Sequence, residues 1–228
     1  MSNLNKRILT SLPLSILAVY AVYNNVILIL SLYIISAILI FEISNILKNI
    51  FKRNKINSFI FLNLFILYIC LFALQIYFFL SGESENKQTV FLFILSICIF
   101  TDIGGYIFGN IFKGPKLTKI SPNKTYAGML GGFLLSLVAA LIFSEYQNIF
   151  SVIDYLSELK RNMLIYVLII VFISAISQIG DLAISYIKRL AKVKNTGKLL
   201  PGHGGLLDRF DGIIFAVPIS YILIKYLI

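Results

Sequence analysis

The chain has 228 residues, of which 59% are hydrophobic and only 13% charged, and its mean hydropathy is +0.91. A water-soluble domain is about 45–50% apolar and about 25% charged, so this composition excludes a soluble globule, a disordered segment and a collagen-like repeat. Twenty Lys and Arg stand against ten Asp and Glu, and the meaning of that net charge of +10 depends on where the basic residues fall.

Lys6 and Arg7 precede an apolar run over 8–23 that imitates a secretory signal. Nothing like a small-residue cleavage site follows, so a retained first span is expected. The second run, 26–43, is separated from the first only by Asn24 and Asn25, which predicts a tight helical hairpin. Further uncharged runs cover 57–80, 89–112, 129–144, 163–180 and 212–228. Each is close to the ~20 residues that cross about 30 Å of hydrocarbon. The expected fold is all-α, a polytopic integral membrane protein with about seven transmembrane helices. Six to eight crossings are compatible with the pattern, because the fifth run is short and Gly-led and the third carries Asn63 and Gln75. Cys70 and Cys98 lie inside apolar runs without CxxC spacing and read as packing residues. Without internal repeats or a soluble boundary, 1–228 reads as a single membrane-embedded domain, with N-terminal spans over 1–100 and the chemistry-bearing region over 101–228.

With the N-terminus inside, same-side segments hold Lys6, Arg7, Lys48, Lys52, Arg53, Lys55, Lys113, Lys116, Lys119, Lys124, Lys188, Arg189, Lys192, Lys194, Lys198 and Arg209. The opposite side holds Lys87, Lys160, Arg161 and Lys225 among several acids. The positive-inside rule therefore predicts a cytoplasmic N-terminus and accounts for the net charge, leaving nucleic-acid binding without separate support.

Five acids fall at membrane depth or on the cytoplasmic side: Glu42, Asp102, Asp181, Asp208 and Asp211. An ionised carboxylate near hydrocarbon is costly unless compensated, which makes such residues candidates for function. Glu42, close to Lys48, reads as a snorkelling interfacial residue or a packing contact. Asp102 precedes Gly104, Gly105 and Gly109, and the Gly105–Gly109 pair allows close approach of another helix. The loop from Lys113 to Gly128 carries four lysines and several hydroxyls into a helix start, a cradle for phosphate oxygens. Its glycines at 109 and 114 have Walker A spacing, but Pro115 stands where the lysine belongs.

Asp181, Ser185 and Lys188 are spaced i, i+4, i+7 and share a face if the helix after Ser177-Gln178 continues. After Pro201-Gly202-His203-Gly204-Gly205, a helix from 206 onward would set Asp208 and Asp211 one turn apart, suited to hard cations. His203, the single histidine, cannot form a zinc site and reads as a substrate or backbone contact. Acids among lysines at a membrane surface point to Mg²⁺-assisted phosphoryl or nucleotidyl transfer, with one or two ions.

The run Ser185-Tyr186-Ile187-Lys188-Arg189, then Lys194-Asn195 and Leu200-Pro201-Gly202-His203-Gly204-Gly205-Leu206-Leu207-Asp208-Arg209-Phe210-Asp211, closely resembles the signature of phosphatidate cytidylyltransferases, the CDP-diacylglycerol synthases. Ser177 to Asp181, Asp102 to Gly109 and Ser121 to Thr125 resemble other segments of that family. The resemblance implies a Mg²⁺-dependent enzyme of phospholipid synthesis, joining CTP and phosphatidic acid into CDP-diacylglycerol and pyrophosphate. It would sit in the cell (inner) membrane as a multi-pass protein with a cytoplasmic active site, and homodimerisation is implied too. By the same resemblance Asp181, Asp208 and Asp211 are metal ligands and, with Lys188, catalytic. Ser121, Lys124, Thr125, Ser177, Gln178, Ser185, Arg189, His203, Gly204, Gly205 and Arg209 line the nucleotide and lipid-phosphate site, and Asp102 is a polar structural residue in the membrane. Asn195, where the signature usually has Asp, and Ala127, where the loop often has Glu, depart from the pattern. The competing readings are a related CTP-dependent lipid transferase or kinase, and a transporter or inactive scaffold using the acids for ions.

Overall fold

The computed structural model describes residues 20–81, 85–118, 120–121, 123–146, 162–197, 199 and 204–227. The helices are α1 (Asn25–Ile50), α2 (Lys55–Leu80), α3 (Glu85–Phe112), α4 (Tyr126–Tyr146), α5 (Met163–Leu190), α6 (Leu207–Phe210) and α7 (Ile213–Leu227). Among the described residues five helices, α1 to α5, are long and apolar enough to cross a membrane, while the apolar α7 is shorter. Helices are what such sequences must form, since lipid offers backbone groups no partner. Most of the first expected span lies outside the described residues, apart from the helical residues 20–23.

The expected runs lengthen into helices where polar ends find local partners. Asn24 caps α1, accepting from the amides of Val26 at 3.0 Å and Ile27 at 3.2 Å, and so separates α1 from the helical residues 20–23, while the rest of the expected hairpin's first arm lies outside the described residues. Asn54 caps α2 through the amide of Asn57 at 3.1 Å. Asn63 does not break α2, because its side-chain amide donates to Phe59 O at 2.8 Å one turn back. The seventh run, 212–228, matches α7, but the helix expected from 206 onward is not continuous: α6 ends at Phe210 and Asp211–Gly212 form a turn, so Asp208 lies on α6 and Asp211 beyond it. Asp211 accepts from the Gly212 amide at 2.9 Å, a local bond that competes with helix continuation.

The chain divides into two compact units. The first comprises Met1–Ser81 with Ile187–Phe210. Here α1 and α2 form an antiparallel hairpin whose buried seam is Leu28, Leu32, Leu39, Ile43 and Ile46 on one helix and Ile69, Phe72, Ile76 and Phe79 on the other. This 3- and 4-residue spacing is that of a packed helix face. The opposite faces expose Leu30, Tyr33, Phe59, Leu67, Leu71 and Leu74, side chains suited to lipid. Phe72 meets Phe210 edge-on at 6.4 Å, attaching α6 to the hairpin.

The second unit comprises Gly82–Tyr186 with Asp211–Ile228, and its centre is the α3–α4 contact. Helices in lipid gain nothing from hydrophobic exclusion of their partners, so small residues and hydrogen bonds hold them together. Thr101 and Ser174 hydroxyls lie 2.7 Å apart between α3 and α5, and Tyr166 donates to Ala140 O at 3.0 Å between α5 and α4. The Gly105–Gly109 pair singled out in the sequence does admit α4, since a Cβ at Gly128 would lie 2.7 Å from Gly105 O and 3.4 Å from Gly109 Cα, and Gly104 adds a still tighter approach against the Gly131 carbonyl. A Cβ at Gly105 would come no nearer than 3.8 Å to Gly128 O, an ordinary contact. Gly104→Ala should therefore destabilise the protein by roughly 1–3 kcal/mol, since backbone cannot step aside as a side chain can. Gly105→Ala should be close to neutral. Thermal midpoints of the two variants in one detergent check this, and equal values would contradict it.

Candidate active site

In the second unit, the loop between α3 and α4 forms a small hairpin. Lys116 and Thr125 pair as an isolated antiparallel bridge, Leu117 donates to Lys124 O at 2.8 Å, and Tyr126 donates to Pro115 O at 3.2 Å. The turn closes through Lys124 N to Ser121 O at 3.1 Å, and Ser121 N donates to Thr118 Oγ1 at 3.3 Å. Thr125 then caps α4, its hydroxyl accepting from Gly128 N at 3.1 Å. Thr125 and Ser121 thus shape the hairpin, and Lys124 leaves it to form an ion pair with Asp181 Oδ2 on α5. Asp181 Oδ1 accepts from Ser185 at 3.4 Å, one turn on, as the i, i+4 spacing predicts.

Asp211 reaches the same carboxylate. Its side chain is hydrogen-bonded to that of Asp181, and Asp102 lies within electrostatic range of Asp181, Asp211 and Lys124. Two glycines permit the approach. A Cβ at Gly180 would stand 2.7 Å from Asp211 O, and one at Gly212 would collide with the buried Ser177. Gln178 faces the other way and donates to Met129 O of α4 at 3.4 Å. Burial, followed by the negative charge of Asp181, its hydrogen bond and the charge of Asp102, pushes Asp211 up to about 8.

The first unit holds a second arrangement. At the end of α5, Val193 N donates to Lys188 O at 3.0 Å and Lys192 N to Arg189 O at 3.0 Å. These bonds, with Lys192 at φ 56, make a Schellman ending in which lysine replaces the usual glycine. Lys188 donates to Asp208 Oδ1 at 2.7 Å, both side chains being largely buried. Asp208 Oδ2 accepts from Thr196 N at 2.9 Å and Gly205 N at 3.1 Å. Gly204, at φ +89, turns the chain beside it in a conformation that side chains resist. Arg189 and Arg209 are exposed, and His203 lies outside the described residues.

Burial alone would raise Asp208, but the Lys188 hydrogen bond and charge, with the Thr196 and Gly205 amides, outweigh it and hold the carboxyl below its usual range. A depressed folded value adds stability above the unfolded value of about 4, and this is lost as pH falls through the folded one. The thermal-midpoint advantage of the native chain over Asp208→Asn should be constant near neutral pH and shrink below about pH 4. An advantage that persists undiminished at about pH 3 would contradict this.

Among the described residues no three His, Cys, Asp or Glu side chains are gathered so as to hold a metal ion by themselves. The Asp181–Asp211 pair is nevertheless a fitting seat for Mg²⁺, which commonly takes one or two carboxylates and fills its other positions with substrate phosphates and water. The Lys124 ammonium supplies, beside Asp181, positive charge of the kind such a cation would bring. Asp208 has its oxygens committed to one ammonium and two amides.

Of the two readings of Glu42 the packing contact holds, since it is buried rather than snorkelling and binds Thr196, the residue that sequence reading missed. An acid within an apolar run was the signal for Glu42; nothing in the sequence marks Thr196.

Paired carboxylates beside a lysine-bearing hairpin, on helices long and apolar enough to cross a membrane, define a membrane-protein site suited to a cation and phosphate groups. The model of the cytidylyltransferase family matches residues 2–227, and the chain belongs to that family. It is 38% identical over 148 residues to a phosphatidate cytidylyltransferase of Staphylococcus epidermidis, covering 64% of this chain and 53% of the relative. Proteins of the same name from Bacillus subtilis and Rickettsia felis are 37% and 41% identical over 150 and 147 residues. Those alignments cover 65% and 63% of this chain and 52% and 61% of the relatives. The chain thus spans about half the length of most curated relatives it matches.

Proposed function

We propose that this chain transfers the cytidylyl group of CTP to phosphatidate, giving CDP-diacylglycerol and pyrophosphate. The observation that carries the proposal is the Asp181–Asp211 carboxyl pair beside Lys124, in a chain of the cytidylyltransferase family. A phosphate oxygen of phosphatidate attacks the α-phosphorus of CTP, and the bond to the β-phosphate oxygen breaks. The attacking phosphate is already ionised near neutral pH, so no protein base is required.

Asp181 and Asp211 would hold Mg²⁺, whose charge, when bound, offsets that developing on the triphosphate. Lys124 leaves Asp181 for a phosphate oxygen, and its hairpin anchor keeps that movement short. Ser185 steadies Asp181, and Lys188, oriented by Asp208, is the amine that the first unit offers to phosphate. Asp208 in this reading organises its loop instead of ligating a cation. The basic residues near these elements favour a cytoplasmic active site in a cell membrane, with phosphatidate entering from the inner leaflet.

Product analysis tests the proposal. Purified protein with labelled CTP should release pyrophosphate and form CDP-diacylglycerol only when phosphatidate and Mg²⁺ are both present. Release of CDP would establish a kinase instead, and no CTP turnover under any of these conditions would refute the reading.

A further inference from the structure

Glu42 lies between Phe41 and Ile43 in α1 and is only 2% exposed. A buried carboxylate costs several kcal/mol unless donors replace its water. Here three do, all from one distant loop. Oε2 accepts from the Thr196 hydroxyl at 2.7 Å and the Leu207 amide at 2.9 Å, and Oε1 from the Leu206 amide at 2.8 Å. The loop backbone closes around the acid, since a Cβ at Gly197 or Gly205 would lie 2.6 Å from one of its oxygens.

These donors sit at the two ends of the 196–207 loop, and the same ends hold Asp208. Thr196 gives its hydroxyl to Glu42 and its amide to Asp208. At the other end Gly205 gives its amide to Asp208 while Leu206 and Leu207 give theirs to Glu42. One carboxylate from α1 and one from α6 thus fasten the loop on both sides, and the second is the partner of Lys188. Hydrophobic packing alone would hold α6 to the hairpin through Phe72 and Phe210; the carboxylate adds direction.

We propose that Glu42 is a positioning residue for nucleotide binding, fixing Thr196–Gly197 and Gly205–Leu207 so that Asp208 holds Lys188 in place for a CTP phosphate. This rests on the transferase reading above. Glutamine at 42 keeps the volume but can offer an acceptor to only one side, leaving its NH₂ facing an amide donor. Thr196→Val removes the hydroxyl alone, and Thr196→Ser restores it.

The test combines hydrogen–deuterium exchange of the full chain in detergent with steady-state kinetics. Glu42→Gln should speed exchange across 204–208 and raise the KM for CTP about tenfold, leaving the KM for phosphatidate within about twofold. Thr196→Val should shift both in the same direction by less, and Thr196→Ser should resemble the native chain. Unchanged exchange, or a lower thermal midpoint with both KM values unaltered, would overturn the proposal. If the native chain makes no CDP-diacylglycerol the transferase reading fails by itself. Exchange in Glu42→Gln and Thr196→Val then still decides whether Glu42 fastens the loop.

Discussion

Asp211→Asn and Asp181→Asn should each lower kcat/KM for CTP by on the order of a thousandfold while leaving the protein inserted and folded. The two carboxyls are hydrogen-bonded, and they carry more negative charge than Lys124 alone can offset once Asp102 is included. Such an arrangement is unfavourable until a divalent cation supplies the missing positive charge. An amide at either position removes one anionic ligand and relieves the repulsion. Thermal stability without Mg²⁺ should therefore hold or rise even as turnover disappears. This opposition separates a site built for a cation from one built for packing. Activity within about tenfold of native in both variants would remove Asp181 and Asp211 from the chemistry.

Lys188→Met should destabilise the protein by about 3 kcal/mol, because it strips the ammonium from a largely buried carboxylate. The double variant Lys188→Met with Asp208→Asn should recover much of that stability, since the stranded charge is gone while an oxygen remains for the loop amides. Neither should recover transferase activity, because the phosphate-binding amine is absent from both. Thermal midpoints and turnover of the two single variants and the double variant check this. Additive losses of stability would show that Lys188 and Asp208 are not coupled and that their 2.7 Å contact is incidental.

The helices were legible wherever a local rule decides them. Asn24 and Asn54 stop and restart the chain by capping, and the apolar run beginning at 163 continues past Asp181 to Leu190 because no residue there opposes a helix. The Asp181–Ser185 contact follows from helical spacing alone. The family signature pointed to Asp181, Lys188, Asp208 and Asp211, yet it could not tell which acid faces which amine. Asp208 and Asp211 look equivalent three residues apart, but within the first unit Asp208 meets Lys188 and within the second Asp211 meets Asp181. The two readings of Glu42 could not be separated in the sequence because its charge could be explained by a nearby interface, whereas its partners lie more than 150 residues along the chain. The Gly105–Gly109 spacing pointed to the approach of Gly128, whereas Gly104, against the Gly131 carbonyl, belongs to no such spacing and had no signal.

Binding of Mn²⁺, followed by electron paramagnetic resonance in the presence of CTP, measures directly whether Asp181 and Asp211 hold the cation. The native chain should bind Mn²⁺ with CTP, Asp181→Asn and Asp211→Asn should lose that bound signal, and Asp208→Asn should retain it. Equal binding in the Asp181 and Asp211 variants, or loss confined to Asp208→Asn, would contradict the account.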